Sequence, residues 1–560
     1  MNYVTLFQNQ AACFDLYTEE RRYTEAEGKY HREGLISPLP LTQQTEDFYK
    51  ALLALMKTDE GDSAAPRWLT FSRSSRPLAL HYGVSCRAAA RVLEEAPLDG
   101  FGYTVGEDDI FIYGHTAEEL KMAGERFLDA LLRYQCDGVY RLPLGEREEM
   151  QNAALAALAV PPPPHEKLLF CDDGDNGRMW VAEGCTEGDF CAYLEGLTAE
   201  GFRLHAENAI RGNRYATLAK DGIMVDAWYT VDGYLRVTAV SAAAGYHLCP
   251  IAVAPWTPRC DTGLYLVGGY EPIPDRGEMC LFFRLADGRF VVVDSGWDKR
   301  MSEKIMGELR RHSPDPHRVT IACWIFTHGH ADHTYGFYGL CENLTSYPDL
   351  TVESFLFNFP GEEQAFVPWQ MVVEGERMRS CIHGLFPHAR KYKAHPGNRL
   401  AFANLQIEVL ATHESYIYGT YPNYQNACNT LLRLEIEGQV ILITGDTSNY
   451  DHDNLVALYG DYLTCDILQA PHHGGRGSGT VEAAAAYAPR FVLFCNTSLG
   501  DFYSAGFMMK LDYNQALVDE AQNPRFEEYA VAENHVTYFP LPYTQGARSV
   551  VFTYAALTEV

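Results

Sequence analysis

The spacing of apolar positions changes along this chain, and each change marks a different element. Near residue 100, two short alternating runs flank a polar turn: Gly102-Tyr103-Thr104-Val105, then Gly106-Glu107-Asp108-Asp109, then Ile110-Phe111-Ile112-Tyr113-Gly114. That pattern predicts a β-hairpin. The period then lengthens. Leu120, Gly124, Phe127, Leu128 and Leu131 recur along one helical face, and Thr116 with Glu119 has capping-box spacing. Pro161-Pro162-Pro163-Pro164 forces extended backbone and reads as a linker. Beyond it, Thr186 and Asp189 open a helix with Phe190, Tyr193, Leu194 and Leu197 on one face, and Gly201 follows its end. Strands over 214–219, 223–229 and 234–240 are separated by Asp221-Gly222 and Asp232-Gly233, so they form a meander. The pattern therefore predicts an α+β unit over 1–160, with no evident role, and a small α+β unit over 166–250.

From about residue 256 to 560 the chain reads as a third domain in which strands alternate with helices. Runs 280–285 and 289–293 form a hairpin around Asp287-Gly288, and the second run ends at Asp294-Ser295-Gly296. A helix with Ile305, Met306 and Leu309 on one face leads into the apolar run 321–326. The hairpin recurs over 431–436 and 439–443, ending at Thr444-Gly445-Asp446, and 466–469 runs into Ala470-Pro471-His472-His473-Gly474.

Chemistry concentrates where the 321–326 run ends, at Thr327-His328-Gly329-His330-Ala331-Asp332-His333. Three imidazoles and a carboxylate so close together are costly to bury without a partner, and a divalent cation removes that cost. Neutral imidazole and carboxylate suit Zn²⁺ or Mn²⁺, one ion or two. A solvated polar loop is the plain alternative. A chance match to H-x-H-x-D-H in a chain with 19 His is roughly a one-in-a-thousand event, which disfavours it.

Composition narrows the field further. At 47 % hydrophobic and 12 % aromatic, the 560 residues describe packed domains. The net charge of −29 opposes a long nucleic acid or an anionic membrane as partner and leaves a small-molecule substrate. The 15 Cys lack C-x-x-C pairs and read as reduced thiols. The first residues carry no leader pattern and no run of about 18 apolar residues occurs, so a cytoplasmic location is expected. Oligomeric state is not readable. G-x-S-x-G is absent, which removes the serine-hydrolase reading.

In order along the chain, Asp294, the His328–His333 motif, Asp446 and the His472-His473-Gly474 element resemble the metallo-β-lactamase superfamily over about residues 256–500. Asn429-Thr430, Thr444-Gly445-Asp446 and Ala470-Pro471-His472-His473-Gly474 look like its ComEC-type branch. The resemblance implies an α+β fold, a four-layer αββα sandwich preceded by the two small units. It implies that His328 and His330 hold one metal, and that Asp332, His333 and one of His472 and His473 hold the other. Asp446 would bridge them, and Asp294 would orient the motif turn from behind. The family usually places a further His just before the 431–436 strand. Asn429 stands there instead, and the upstream His413 is a possible replacement ligand.

The expected function is a metal-dependent hydrolase in which a metal-bound hydroxide attacks, with Asp332 and Asp446 as the catalytic carboxylates. A small phosphodiester or phosphate ester is the expected substrate. The alternatives are an acyl hydrolase of a lactone, thioester or amide, and a binding protein with a structural metal domain.

Overall fold

A computed structural model describes residues 177–253, 255–270, 277–360, 369–415, 425–475, 477–495, 511–531 and 535–544, with shorter stretches before 177 and 550–552 after. The chain divides into two compact units. One comprises Met1–Glu183, Arg236–Ala239 and Gly361–Trp369; the other comprises Gly184–Leu235, Val240–Pro360 and Gln370–Val560.

In the first unit, β1 (Tyr3–Gln8), β2 (Ala11–Ala12), β3 (Phe14–Thr18), β4 (Arg21–Tyr23), β5 (Leu78–Tyr82), β6 (Gly100–Val105) and β7 (Asp109–Tyr113) precede helix α1 (Ala117–Arg133). Then come β8 (Tyr140–Pro143), β9 (Arg147–Gln151), β10 (Leu168–Asp172) and β11 (Gly177–Ala182). A six-stranded sheet runs β4-β3-β5-β7-β6-β9 and a three-stranded one β2-β1-β8. The hairpin read from alternation is β6-β7, with Gly102 opposite Tyr113. Leu120, Phe127 and Leu131 of α1 bury their shared face against Tyr103, Ile110 and Ile112. Thr116, half of the expected capping box, lies outside the described residues.

The second unit opens with α2 (Glu187–Ala199), capped reciprocally by Thr186 and Asp189 as their spacing requires. Strands β12 (Arg203–Ile210), β13 (Asn213–Lys220) and β14 (Ile223–Thr230) follow as a meander. The sequence pattern does not mark β12: its burial is shallow and half of its residues are polar, so it carries no clean alternation. Strand β15 (Tyr234–Ser241) crosses the boundary between units.

Two large sheets build the remainder. The first contains β16 (Gly263–Val267), β17 (Cys280–Arg284), β18 (Phe290–Asp294), β19 (Val319–Ile325), β20 (Leu350–Val352), β21 (Ser354–Phe357) and β22 (Arg390–Lys393). The second contains β23 (Arg399–Phe402), β24 (Leu405–Ala411), β25 (Leu431–Ile436), β26 (Gln439–Ile443), β27 (Ile467–Gln469), β28 (Phe491–Phe494) and β29 (Glu528–Val531). The chain returns to the first sheet with β30 (Val536–Pro540) and β31 (Val550–Phe552).

Strand alternation decides which side chain enters which layer. Leu281, Phe283, Val291 and Val293 point between the sheets, where they meet Ile407, Val409, Leu432, Ile441 and Ile467 of the other sheet. Their neighbours Phe282, Phe290 and Val292 point outward onto α3 (Met301–His312), α4 (Ala331–Glu342) and α5 (Trp369–Leu385), through Ile305, Leu309, Phe337 and Met378. In the second sheet, α6 (Asn449–Tyr459), α7 (Val481–Tyr487) and α8 (Asp512–Val518) cross over between the parallel strands β26 to β29. The result is the expected αββα arrangement. Among the described residues no helix is long and apolar enough to cross a membrane.

Candidate metal centre

Every strand that carries a site residue runs parallel to at least one neighbour and delivers that residue at or just beyond its C-terminal end. Asp294 closes β18, the His328–His333 turn follows β19, Asp446 follows β26, and the two consecutive histidines follow β27. Loops at that end of a sheet can converge without disturbing the layers behind them. Asp332 falls in the first turn of α4, where a negative charge suits the helix N-terminus.

Two groups of ligand atoms result, each with its atoms within 4.8 Å of one another: Asp332, His333, Asp446 and His473, and then His328, His330 and Asp446. Asp446 belongs to both. Its Oδ1 lies 3.2 Å from His333 Nε2 and 3.3 Å from His473 Nε2, and its Oδ2 lies 3.7 Å from His328 Nε2. His473 Nε2 is 3.2 Å from Asp332 Oδ2, and His328 Nε2 is 2.8 Å from His330 Nδ1. His333 Nε2, His473 Nε2 and Asp446 Oδ1 are buried and make no hydrogen bond despite this closeness. Lone-pair atoms gathered at such distances without mutual donors fit a divalent cation between them.

The opposite ring nitrogens fix the tautomers, as the hydrogen-bond network assigns them. His333 Nδ1 donates to Asp294 Oδ2 at 2.7 Å. His473 Nδ1 donates to the Cys495 carbonyl at 2.6 Å. His328 Nδ1 lies 3.1 Å from Thr327 Oγ1, whose hydroxyl donates to Asp294 Oδ2 at 2.7 Å, while the Thr327 amide donates to Asp294 Oδ1 at 2.8 Å. Asp294 thus orients the motif turn, with backbone in the left-handed region at φ 56°.

Electrostatics separates the two groups. Burial lowers the His328 pKa well below its usual value, and the neighbouring His333 and His330 add to this. Burial acts the same way on His333, but Asp446, Asp294 and Asp332 outweigh it and hold that pKa well above the usual range. His473 is raised similarly, burial being offset by Asp446 and Asp332. For Asp446, burial favours the neutral acid, yet His473 and His333 keep its carboxyl well below the ordinary range.

Asn429 occupies no ligand position. Its Nδ2 donates to the Thr444 carbonyl at 2.6 Å and to Thr447 Oγ1 at 2.9 Å, and its Oδ1 accepts from the Asp446 amide at 3.2 Å. With both ends engaged, the side chain holds the Asp446 turn. Gly445, at φ 52°, fits only because it lacks a side chain: a Cβ would come 2.0 Å from Asn429 Oδ1. His413 also does not reach either group. It is buried in a 3₁₀ turn after β24, its pKa pushed down to about 4 by burial. The adjacent Glu414 pairs with His395 at 2.7 Å. Of the consecutive histidines, His473 enters the group with Asp332 and His333. His472 stands outside both groups, its Nε2 3.9 Å from Asp446 Oδ2.

Three supports had no sequence reading. Gln469 Oε1 accepts from the Thr444 and Gly445 amides at 2.9 and 2.7 Å, and the polar residue closing an apolar strand was its available signal. Gly277 lets its backbone pass the His473 ring, where a Cβ would lie 2.1 Å from Cγ. The Cys495 carbonyl is a backbone group, and no residue type announces it.

Comparison with known proteins follows this geometry. Residues 273–486 match a family model described as "Metallo-beta-lactamase superfamily". Over these residues the chain is similar to that superfamily. No curated protein matches the chain. Among solved structures the chain is similar to the metallo-β-lactamase fold protein YhfI from Bacillus subtilis, at 12 % identity over 50 % of this chain and 100 % of that chain, TM-score 0.32. Unliganded yeast PDE1 is similar at 12 % identity over 50 % of this chain and 99 % of that chain, TM-score 0.32. CmlA, a diiron β-hydroxylase from Streptomyces venezuelae, is similar at 13 % identity over 51 % of this chain and 55 % of that chain, TM-score 0.30.

Proposed function

We propose that the metallo-β-lactamase-like domain hydrolyses a small phosphodiester or phosphate ester with two divalent ions, Zn²⁺ or Mn²⁺. The observation that carries this reading is the double-facing Asp446 carboxylate, one oxygen toward each ligand group. A pair of ions bound here would supply Lewis acidity for both the attacking and the leaving oxygen of a phosphoryl transfer. His328, His330 and Asp446 would hold one ion, and Asp332, His333, His473 and Asp446 the other.

The chain's own groups do the rest. Asp294 and the Cys495 carbonyl accept hydrogen bonds from the Nδ1–H groups of His333 and His473, which leaves each Nε2 lone pair aimed inward once the ring is neutral. Asn429 and Gln469 hold the Asp446 turn so that the carboxylate need not reorganise. The net charge of −29 favours a small substrate over a long nucleic acid. The Asn429-Thr430 and Ala470-Pro471-His472-His473-Gly474 elements, similar to the ComEC-type branch, support the phosphodiester choice. The test compares bis(p-nitrophenyl) phosphate, p-nitrophenyl acetate and a β-lactam on the metal-loaded full-length chain. Faster cleavage of the phosphodiester is expected. Faster ester or lactam cleavage replaces this reading with the acyl-hydrolase alternative.

A further inference from the structure

The two ligand groups are unequal. The inner one, around His333, has four donors including Asp446, whereas the outer one, around His328, has three. Asn429 cannot make up the difference, because both ends of its amide are occupied by the Thr444–Thr447 turn. His413 is turned to a different cluster, next to Glu414 and His395.

One further imidazole faces the outer oxygen. His472 Nε2 lies 3.9 Å from Asp446 Oδ2, beside the 3.7 Å approach of His328 Nε2 to the same atom. Two donor atoms sharing one tetrahedral Zn²⁺ stand roughly 3.3 Å apart, given bonds of about 2.05 Å, so each nitrogen's approach to Asp446 Oδ2 is only slightly open, whereas the His472 ring must still rotate toward His328 and His330 to join their group. The backbone explains how neighbouring residues reach opposite oxygens. His472 (φ 46°, ψ 44°) and His473 (φ 57°, ψ 12°) both adopt left-handed conformations, and their ring centroids diverge to 6.2 Å. Non-glycine residues hold such a conformation only where the surroundings impose it. Here the His472 amide donates to the Gly445 carbonyl at 3.0 Å, which ties the residue to the turn that carries Asp446. Its side chain is 31 % exposed, which leaves the ring room to rotate, while Nδ1 is buried without a hydrogen-bond partner among the described residues.

We infer that His472 is the fourth protein ligand of the outer ion, its neutral ring donating the Nε2 lone pair, while His473 serves the inner ion. The inference rests on the metal reading above but not on the choice of substrate. It gives the two successive histidines separate duties, one ion each.

Metal titration of the full-length chain tests this without reference to turnover. Chelator-stripped protein is titrated with Co²⁺ by calorimetry and followed by d–d absorption. The variants His472→Asn, which tolerates left-handed backbone, and His472→Gly, which prefers it, guard against misfolding. The wild type should take up two equivalents. Both variants should keep one at near wild-type affinity and bind the other at least about a hundredfold more weakly, beyond what loss of an outer-sphere partner costs. Free imidazole should restore the second equivalent and its absorption band to His472→Gly. Two equivalents at wild-type affinity in both variants, or a single equivalent in the wild type, overturn the inference. A wild type that takes up no Co²⁺ overturns the metal reading itself, whereas one that binds two ions and spares phosphodiesters overturns only the substrate assignment.

Discussion

The inner and outer halves of the metal centre share one carboxylate, yet they are supported very differently. In the inner half, His333 and His473 each give Nδ1 to a fixed acceptor, the Asp294 carboxylate and the Cys495 carbonyl, and both rings are buried. In the outer half, His328 leans on a single hydroxyl and His472 is part-exposed. Charge follows the same division: carboxylates crowd His333, whereas His328 is surrounded mainly by other imidazoles. Ligands whose orientation is already set lose little freedom on binding, so the inner half should fill first and release last.

The largest expected effect removes what the halves share. Asp446→Ala should abolish uptake of both ions and lower phosphodiesterase activity at least about a hundredfold, as measured by metal analysis and single-turnover rates. Retention of two ions with near-full activity would mean that the halves are independent. Next, Asp294→Asn keeps the shape of the acceptor and removes its charge. Inner-ion affinity should fall roughly 10- to 100-fold while outer affinity changes far less. Equal losses in both halves would dissolve the distinction.

Acidity gives a third, smaller difference. In metal-free protein the His333 pKa is raised, so near neutral pH the ring keeps a proton that a metal must displace. Inner-ion affinity should therefore rise with pH, by about tenfold per unit for each proton released, up to the raised pKa of His333. His328 has its pKa lowered and is already neutral there, so it contributes no such slope. Titration calorimetry in buffers of different ionisation enthalpy counts the protons; none released with the inner ion would refute the assignment. Asn429→Ala should cost about 1 to 3 kcal/mol of stability, because it strands the buried Asp446 amide, and denaturant unfolding measures it. The smallest effect belongs to Thr327→Val, about 1 kcal/mol in outer-ion affinity through lost orientation of His328, read from the same Co²⁺ titrations.

What was legible in the sequence depended on how local the cause was. The motif turn compresses four candidate ligand side chains into residues 328–333 behind an apolar strand, so residue type and spacing alone disclosed it. The capping pair Thr186 and Asp189 and the hairpin turn at Glu437-Gly438 were readable for the same reason. Asn429 could be noticed only as an unusual residue at its position. Its actual work, spanning Thr444, Asp446 and Thr447, depends on β25 and β26 pairing antiparallel beside it. The divergence of the His472 and His473 rings follows from consecutive left-handed backbone angles, and neither histidine advertises those as a glycine would. His413 looked available on sequence grounds because distance along the chain says nothing about which buried charge a ring will face.

One arrangement described above also bears on how the molecule assembles. The His328–His333 turn hangs from one large sheet, and Asp446 and His473 hang from the other. A cation caught between them is therefore a cross-brace between two layers whose strands are far apart in the chain. Such a brace cannot form until both layers have met, which places ion capture late on the folding route. Because only the docked state offers the complete ligand set, each bound ion should weigh against separation of the sheets in proportion to RT ln(1 + [metal]/Kd). If the centre binds metal as proposed, availability of that metal would set how long the finished protein lasts as well as whether it turns over.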